Sequence, residues 1–402
     1  MTTHCGVKRN SMVYDKQFST KAIHSGVSRP QNKPIISPIY FTSAFELQSE
    51  QLEDNDFVYT RGGNPTRNEL EAILKNLENC KYCSTFSSGL AAISAVFELL
   101  SPKDHIVTSF PLYGGTYRFF SKILSSREIT LSHPIHRAET VASLIDKKTK
   151  IVFLEVPSNP LLEISDLNEI RQKCDACGAL LVVDNTFNTP YNFQPLKHGA
   201  DIVVYSTTKY LNGHGDILGG AVLTEHKHIA EKITLYQKGI GAIPSSFDCW
   251  LLIRSLSTLE LRMQRHNSNA MRIASALDTL PQIERVIYPG LKSYPDHKVY
   301  KKYLKNFGGI ITVFLKPNVA PQKFLSNLKI IKSAVSYGCI KTLATQPWGT
   351  THKEIPQHIK SKLGLTPQII RISVGIEDAD DLIKDIVSAL KEATSLRGGH
   401  HD

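Results

Sequence analysis

The 402-residue sequence predicts an α/β fold: a large domain with a mainly parallel sheet flanked by helices, then a smaller C-terminal α+β domain. Two observations carry this. The apolar runs "HIVTSF" (105–110), "KIVFLEV" (150–156), "ALLVVDN" (179–185) and "ADIVVYS" (200–206) show no inside/outside alternation, so both faces of these strands are buried. Between them lie helical periods such as "ISDLNEIRQKCDA" (164–176), long enough to cross over a parallel sheet.

Taken in order, residues 1–60 show little periodicity and are expected to form an arm that contacts a neighbouring subunit. "ELEAILKNLEN" (69–79) is an amphipathic helix, and "STFSSGLAAISAVFELL" (84–100) is a strand end running into a second helix. The alternation continues to about residue 260, which bounds the large domain at 61–260. The stretch 248–280 reads as one long helix or two. A C-terminal domain, 261–402, follows with strands "GGIITVFLK" (308–316) and "QIIRISVGI" (368–376) and the closing helix "DADDLIKDIVSALKEA" (378–393).

At 41% hydrophobic and 21% charged residues, the chain has the makeup of a soluble globular protein. The formal charge of +10 is spread along the chain, with no basic run of five and no interleaved aromatics, so no nucleic-acid partner is expected. No stretch approaches the ~18–20 apolar residues of a membrane helix. The start, "MTTHCGVKRNSMVYDKQ", has no apolar core after its basic residues, and a cytoplasmic location is expected. Seven cysteines, an odd number, fit reduced thiols. The two C-x-x-C pairs, Cys80 with Cys83 and Cys174 with Cys177, are read as packing residues; a zinc or redox role is the alternative, and no metal is expected.

Candidate chemistry lies where strands end, the edge at which ligands sit in doubly wound sheets. Lys209 follows "ADIVVYSTT", with hydroxyls from Ser206, Thr207 and Thr208 just before it. A lysine there escapes to solvent or is bonded to something, because a buried free ammonium is costly. Asp184 ends "ALLVVD" ahead of Asn185 and Thr186, as a paired carboxylate or a helix cap. Ser87, Ser88 and Gly89 open a helix, offering N–H groups to an anion or a plain N-cap. Together these supply a lysine amine, an acid and an anion cradle, the set that pyridoxal 5′-phosphate requires for its aldehyde, its ring nitrogen and its phosphate.

At these residues the chain resembles the cystathionine and methionine metabolism family of fold type I pyridoxal-phosphate enzymes. The stretches "FSTKAIHSG", "PIYFTSAFE", "YTRGGNPTRNELE", "SSGLAAI", "PLYGGTY", "EVPSNP", "VVDNTFNTP", "YSTTKYLNGHGD", "TTH" and "IIRISVGIED" occur in the family's order. The resemblance implies Lys209 as the Schiff-base lysine that also moves protons. It implies Asp184 on the pyridinium with Thr186 beside it. Phosphate would be held by the N–H groups of Gly89 and Leu90 and the hydroxyls of Ser206 and Thr208, with Tyr59 and Arg61 reaching in from a partner subunit. Tyr113 would stack on the cofactor as acid or base, and Asn159 would touch its side. Arg371 would take the substrate carboxylate with Ser336 beside it; from the residues alone, a structural salt bridge is as good a reading. Homotetramers built as dimers of dimers, with shared active sites, are also implied.

The reaction is read as γ-elimination from methionine or cystathionine, giving a 2-oxo acid, ammonia and a thiol. Cystathionine γ-lyases and γ-synthases usually carry glutamates where Val58 and Val335 stand. Valines there resemble methionine γ-lyase, as does "NGHGD". Methionine γ-lyases, however, typically have a cysteine at Gly115 and an aspartate at Gly239. Lys341 with "TTH" resembles O-acylhomoserine sulfhydrylases, an exposed lysine being the plainer reading. γ-Replacement is therefore the alternative enzyme reading, and a catalytically inactive scaffold of the same fold the alternative from another class.

Overall fold

A computed structural model of the chain describes residues 16–26, 32–47, 56–134 and 140–394. Much of the expected N-terminal arm, at 1–15, 27–31 and 48–55, lies outside the described residues. Within the described part, Phe18–His24 form a short helix whose Ala22 is buried in the core of its own chain, a local order that the weak periodicity did not signal.

The larger sheet has seven strands: β1 (Tyr82–Phe86), β2 (His105–Thr108), β3 (Thr130–Ser132), β4 (Thr149–Glu155), β5 (Leu180–Asp184), β6 (Ile202–Tyr205) and β7 (Gly220–Thr224). Their order is β1-β7-β6-β5-β4-β2-β3. The neighbours from β3 through β6 pair in parallel, while β7 runs antiparallel to both β6 and β1. The sheet is thus mainly parallel, as expected, with one reversed strand. Separate apolar clusters cover its two faces, one led by Val107, Val183 and Val203 and the other by Ile106, Val182 and Val204. Consecutive residues of one strand falling in opposite clusters is what continuous apolar runs mean physically.

The smaller sheet comprises β8 (Ile283–Ile287), β9 (Ile310–Leu315), β10 (Lys332–Ser333), β11 (Leu343–Thr345) and β12 (Ile369–Ser373), in the order β10-β11-β12-β9-β8. The long helical stretch resolves into two helices, Ser246–Leu256 and Leu259–Leu277. The buried Arg262 donates to the carbonyls of Ser255, Tyr210 and Leu211, tying this break to the turn after β6.

Candidate active site

Since β7 reverses between β6 and β1, the strands β1 to β6 all point the same way and open their carboxyl ends on one edge. Ser88 caps the helix Gly89–Phe97 after β1, its hydroxyl accepting the Ala91 N–H, so the first-turn N–H groups at Gly89 and Leu90 face this edge without intrahelical acceptors. A Cβ on Gly89 would stand 2.7 Å from the Ser206 Cβ and 2.9 Å from its Oγ. Glycine is what allows the helix start to approach the end of β6 so closely.

At the end of β5, the Asp184 Oδ1 accepts from the Thr186 N–H at 3.0 Å and from its hydroxyl at 2.5 Å. The Ser206 N–H in turn donates to Thr186 Oγ1 at 2.8 Å, which ties β5 to β6 at the site. Burial pushes the Asp184 pKa up to about 6, against the lowering effect of the Thr186 bonds. Thr208 exchanges hydrogen bonds with Gly219, accepting its N–H at 2.9 Å and donating to its carbonyl at 3.3 Å.

Lys209 sits half-buried in the turn after β6, its amine bonded within the protein. Its Nζ donates to Ser336 Oγ at 2.6 Å and lies 5.0 Å from the centre of the Tyr337 ring. Burial first, and the Arg371 charge second, lower its pKa to about 8. Arg371, 2% exposed in β12, donates to Asn159 Oδ1 at 3.1 Å and to the Ser336 carbonyl at 2.8 Å. These bonds go to an amide and a backbone oxygen, so the guanidinium keeps its charge available to a ligand. Ser336 joins the two cations and adopts a φ of 84°, a left-handed conformation that costs a non-glycine residue of order 1–3 kcal/mol and tends to occur at functional sites.

The remaining predicted residues form a rim. Tyr113 is 43% exposed, and its N–H donates to Glu155 Oε2 at 3.0 Å. Tyr59 is 49% exposed; Arg61 packs over its ring and donates to the Lys238 carbonyl at 2.7 Å, away from the bonded cluster. Val58 and Val335 are exposed as well. A Cβ on Gly115 would lie 2.5 Å from the Tyr113 ring, so a cysteine there would require the ring to shift. Around Gly239 there is open space, and Lys341 is exposed.

Three residues escaped the sequence reading. Glu155 ends β4 opposite Asp184, and the signal was present: a carboxylate after four apolar residues, like Asp184 itself. Tyr337 places its ring over both Lys209 and Arg371 and against Phe187, a contact between distant segments that no local pattern encodes. His352 of "TTH", buried and held neutral by a pKa lowered to about 4 through burial, faces the Asn159 carbonyl from Nε2 at 2.8 Å.

These residues fit pyridoxal phosphate and an amino-acid substrate. Among the described residues, the buried Asn159 Nδ2 and Arg371 Nε find no acceptor, and such donors are rarely left orphaned. With the glycine-permitted approach at Ser206 and the lysine amine opposite, they supply donors to an anionic ligand.

The family profile described as "Cys/Met metabolism PLP-dependent enzyme" matches residues 19–391. The cystathionine gamma-lyase of Dictyostelium discoideum is 38% identical over 377 residues, 93% of this chain and 97% of its own. That of Bacillus subtilis is 41% identical, covering 92% of this chain and 98% of its own, and a cystathionine beta-lyase of Lactococcus lactis is 40% identical, covering 93% and 99%. The crystal structure of cystathionine gamma-lyase from Lactobacillus plantarum complexed with L-serine superposes with a TM-score of 0.90 at 37% identity, over 94% of this chain and 99% of that one. The chain thus belongs to the pyridoxal-phosphate-dependent enzymes of cysteine and methionine metabolism.

Proposed function

We propose that this enzyme is a carbon–sulfur lyase that releases a thiol from the γ carbon of methionine or cystathionine, leaving a 2-oxo acid and ammonia with consumption of water. The observation that carries it is the bonded path Lys209–Ser336–Arg371–Asn159, which places a proton-carrying amine one residue away from a buried guanidinium whose own hydrogen bonds go to neutral oxygens. An α-amino acid needs that pair: a fork for its carboxylate and a base at its α carbon. Relatives named cystathionine gamma-lyase and beta-lyase support carbon–sulfur bond cleavage.

When bound, pyridoxal phosphate supplies an aldehyde for amine linkage and an aromatic sink for the electrons of the α carbon. Lys209 would be the amine that holds the aldehyde and would move the α proton. Asp184 would face the ring nitrogen as its acid partner, with Thr186 fixing Asp184. The N–H groups of Gly89 and Leu90 and the hydroxyls of Ser206 and Thr208 would hold the phosphate. Tyr113 would lie beside the cofactor and exchange a proton with the leaving sulfur. Arg371 and Ser336 would orient the substrate carboxylate, while Asn159 would donate to the cofactor side.

The domains read from the sequence divide this work: 61–260 carries the cofactor groups, 261–402 the carboxylate site, and the arm within 1–60 meets a neighbouring subunit. Exposure of Tyr59 and Arg61 supports a homotetramer, a dimer of dimers in which these residues serve the partner's phosphate. The described cysteines are free thiols, which supports a cytoplasmic location. Among the described residues no helix is long and apolar enough to cross a membrane.

The test is a parallel assay with methionine, cystathionine, homocysteine, cysteine and O-acetylhomoserine, scoring 2-oxobutyrate against pyruvate. 2-Oxobutyrate from methionine or cystathionine is expected. Pyruvate as the main product from cystathionine would move the cleavage to the β carbon, and sulfide-dependent homocysteine formation from O-acetylhomoserine would establish γ-replacement.

A further inference from the structure

The Glu155 carboxylate is 7% exposed at the end of β4, directly across from Asp184 on β5. Two acidic side chains in register on adjacent buried strands disfavour each other's ionisation, and burial together with the Asp184 charge raises the Glu155 pKa well above the usual carboxylate range. Such an arrangement is costly, and the compensation is specific. Glu155 Oε2 accepts the Tyr113 N–H at 3.0 Å, and the Asn159 N–H is a further donor to the same carboxyl group. The Glu155 backbone is pinned from the other side by its own N–H, which donates to Ser109 Oγ at 2.9 Å. Tyr113 lies in the loop after β2 and Asn159 in the loop after β4, so one side chain holds the backbone of two loops that approach the site from different strands.

We propose that Glu155 is a positioning residue: by accepting the Tyr113 and Asn159 backbone N–H groups it fixes the tyrosine of the rim and the amide beside Arg371 in one geometry. This rests on the reading of the site as an amino-acid lyase. Tyr113 is nearly half exposed and no side-chain bond secures it among the described residues, so it is held through its backbone: its carbonyl accepts the Tyr117 N–H at the helix start, and its N–H donates to Glu155, the one side chain that restrains it from another strand. The Asn159 carbonyl is held by His352 and its Oδ1 by Arg371, so loss of the Glu155 bond loosens it less. Glutamine keeps one oxygen for the Tyr113 N–H but presents its NH2 group to the Asn159 N–H; alanine removes both acceptors.

The experiment compares wild type, Glu155→Gln and Glu155→Ala as cofactor-loaded enzymes, on whichever sulfur amino acid the wild type turns over, with crystal structures of all three. Expected are a kcat lowered about 10²-fold in Glu155→Ala, an intermediate value in Glu155→Gln and a KM changed much less, since misplacement of a proton-transfer group falls on the chemical step. The crystal structures should show the Tyr113 ring displaced in Glu155→Ala and in place in Glu155→Gln, with the cofactor's visible absorbance retained in both. Equal kcat in all three, or an unmoved Tyr113 in the alanine variant, would overturn the proposal. Equal losses in both variants with loss of bound cofactor would also overturn it, placing Glu155 in the electrostatics of Asp184. Should the alanine variant not fold, Glu155→Gln at the full wild-type rate would be the overturning result. Wild-type inactivity toward every sulfur amino acid would sink the lyase reading alone, since the tyrosine displacement is read without turnover.

Discussion

Arg371 and Arg61 are both assigned to anionic ligands of this site, yet they are held on opposite terms. Arg371 is 2% exposed in the middle of β12, with two nitrogens bonded to Asn159 and Ser336 and a third, Nε, without an acceptor among the described residues. Arg61 lies at the surface, packed over Tyr59 and donating to the Lys238 carbonyl. The inner wall, comprising the half-buried Asp184, Ser206, Lys209 and Ser336 and the buried Arg371 and Asn159, is positioned by hydrogen bonds within its own chain, because most polar groups taken out of water must be bonded. The rim, comprising Val58, Tyr59, Arg61, Tyr113 and Val335, carries no such obligation. In the proposed dimer of dimers, a second surface would supply the order that the rim lacks.

The largest expected effect breaks the wall at its centre. Lys209→Ala should lower turnover by roughly 10²–10⁴-fold, the weight of a positioned proton-transfer group, while circular dichroism reports an intact fold. Full turnover in this variant would remove the basis of every role assigned here. The same lysine sharpens the comparison through pH. Its pKa is depressed to about 8, so the fold favours the neutral amine, and stability from this group is lost as pH falls through 8. Uptake of pyridoxal phosphate by cofactor-free protein should therefore accelerate between pH 7 and 9 with an inflection near 8, followed by absorbance after mixing. An inflection near the ~10.4 of an ordinary lysine would mean that Nζ is solvated.

Next comes the guanidinium. Arg371→Lys keeps a charge but loses the planar fork, and removing one partner of a buried charged hydrogen-bond set costs about 2–5 kcal/mol. The loss should fall on KM for the amino-acid substrate, with the cofactor's absorbance unchanged. A fall in kcat at constant KM would instead mean that Arg371 acts through Lys209, whose pKa it lowers.

The rim is tested by mixing. Arg61→Ala and Lys209→Ala proteins should each be impaired. Co-refolded or subunit-exchanged, they should recover part of the wild-type turnover, because a hybrid interface places an intact Lys209 against an intact Arg61. No recovery would mean that Arg61 serves only its own chain.

The wall was far more legible in the sequence than the rim's setting was. Asp184 announces itself as a charge directly after an apolar run, and Lys209 as a charge a short hydroxyl-bearing turn beyond one; the fold bonds both at the same edge of the sheet. Arg371 inside "IIRIS" carries the same signal. Glu155 obeys that rule equally and shows that the rule was applied too narrowly. Tyr337 was not legible: its ring meets Lys209 across more than a hundred residues, a contact made by a loop of the C-terminal part that no local pattern encodes. Nor was β7, whose reversed direction follows from hydrogen bonding to β1 and β6 and not from its own composition.

The smallest expected effect concerns substrate choice at the rim. Val335 is 56% exposed and precedes the strained Ser336, so a glutamate there would stand in water near the mouth of the site. An exposed ion pair contributes only about 0.2–1 kcal/mol, so Val335→Glu should lower KM for cystathionine at most about fivefold by meeting its distal ammonium. Methionine has no such group, and its kcat/KM should not change; the ratio of the two values is the measurement. If both substrates shifted together, the substitution would be acting on the backbone of Ser336, and through it on Lys209 and Arg371, and the rim would not be independent of the wall.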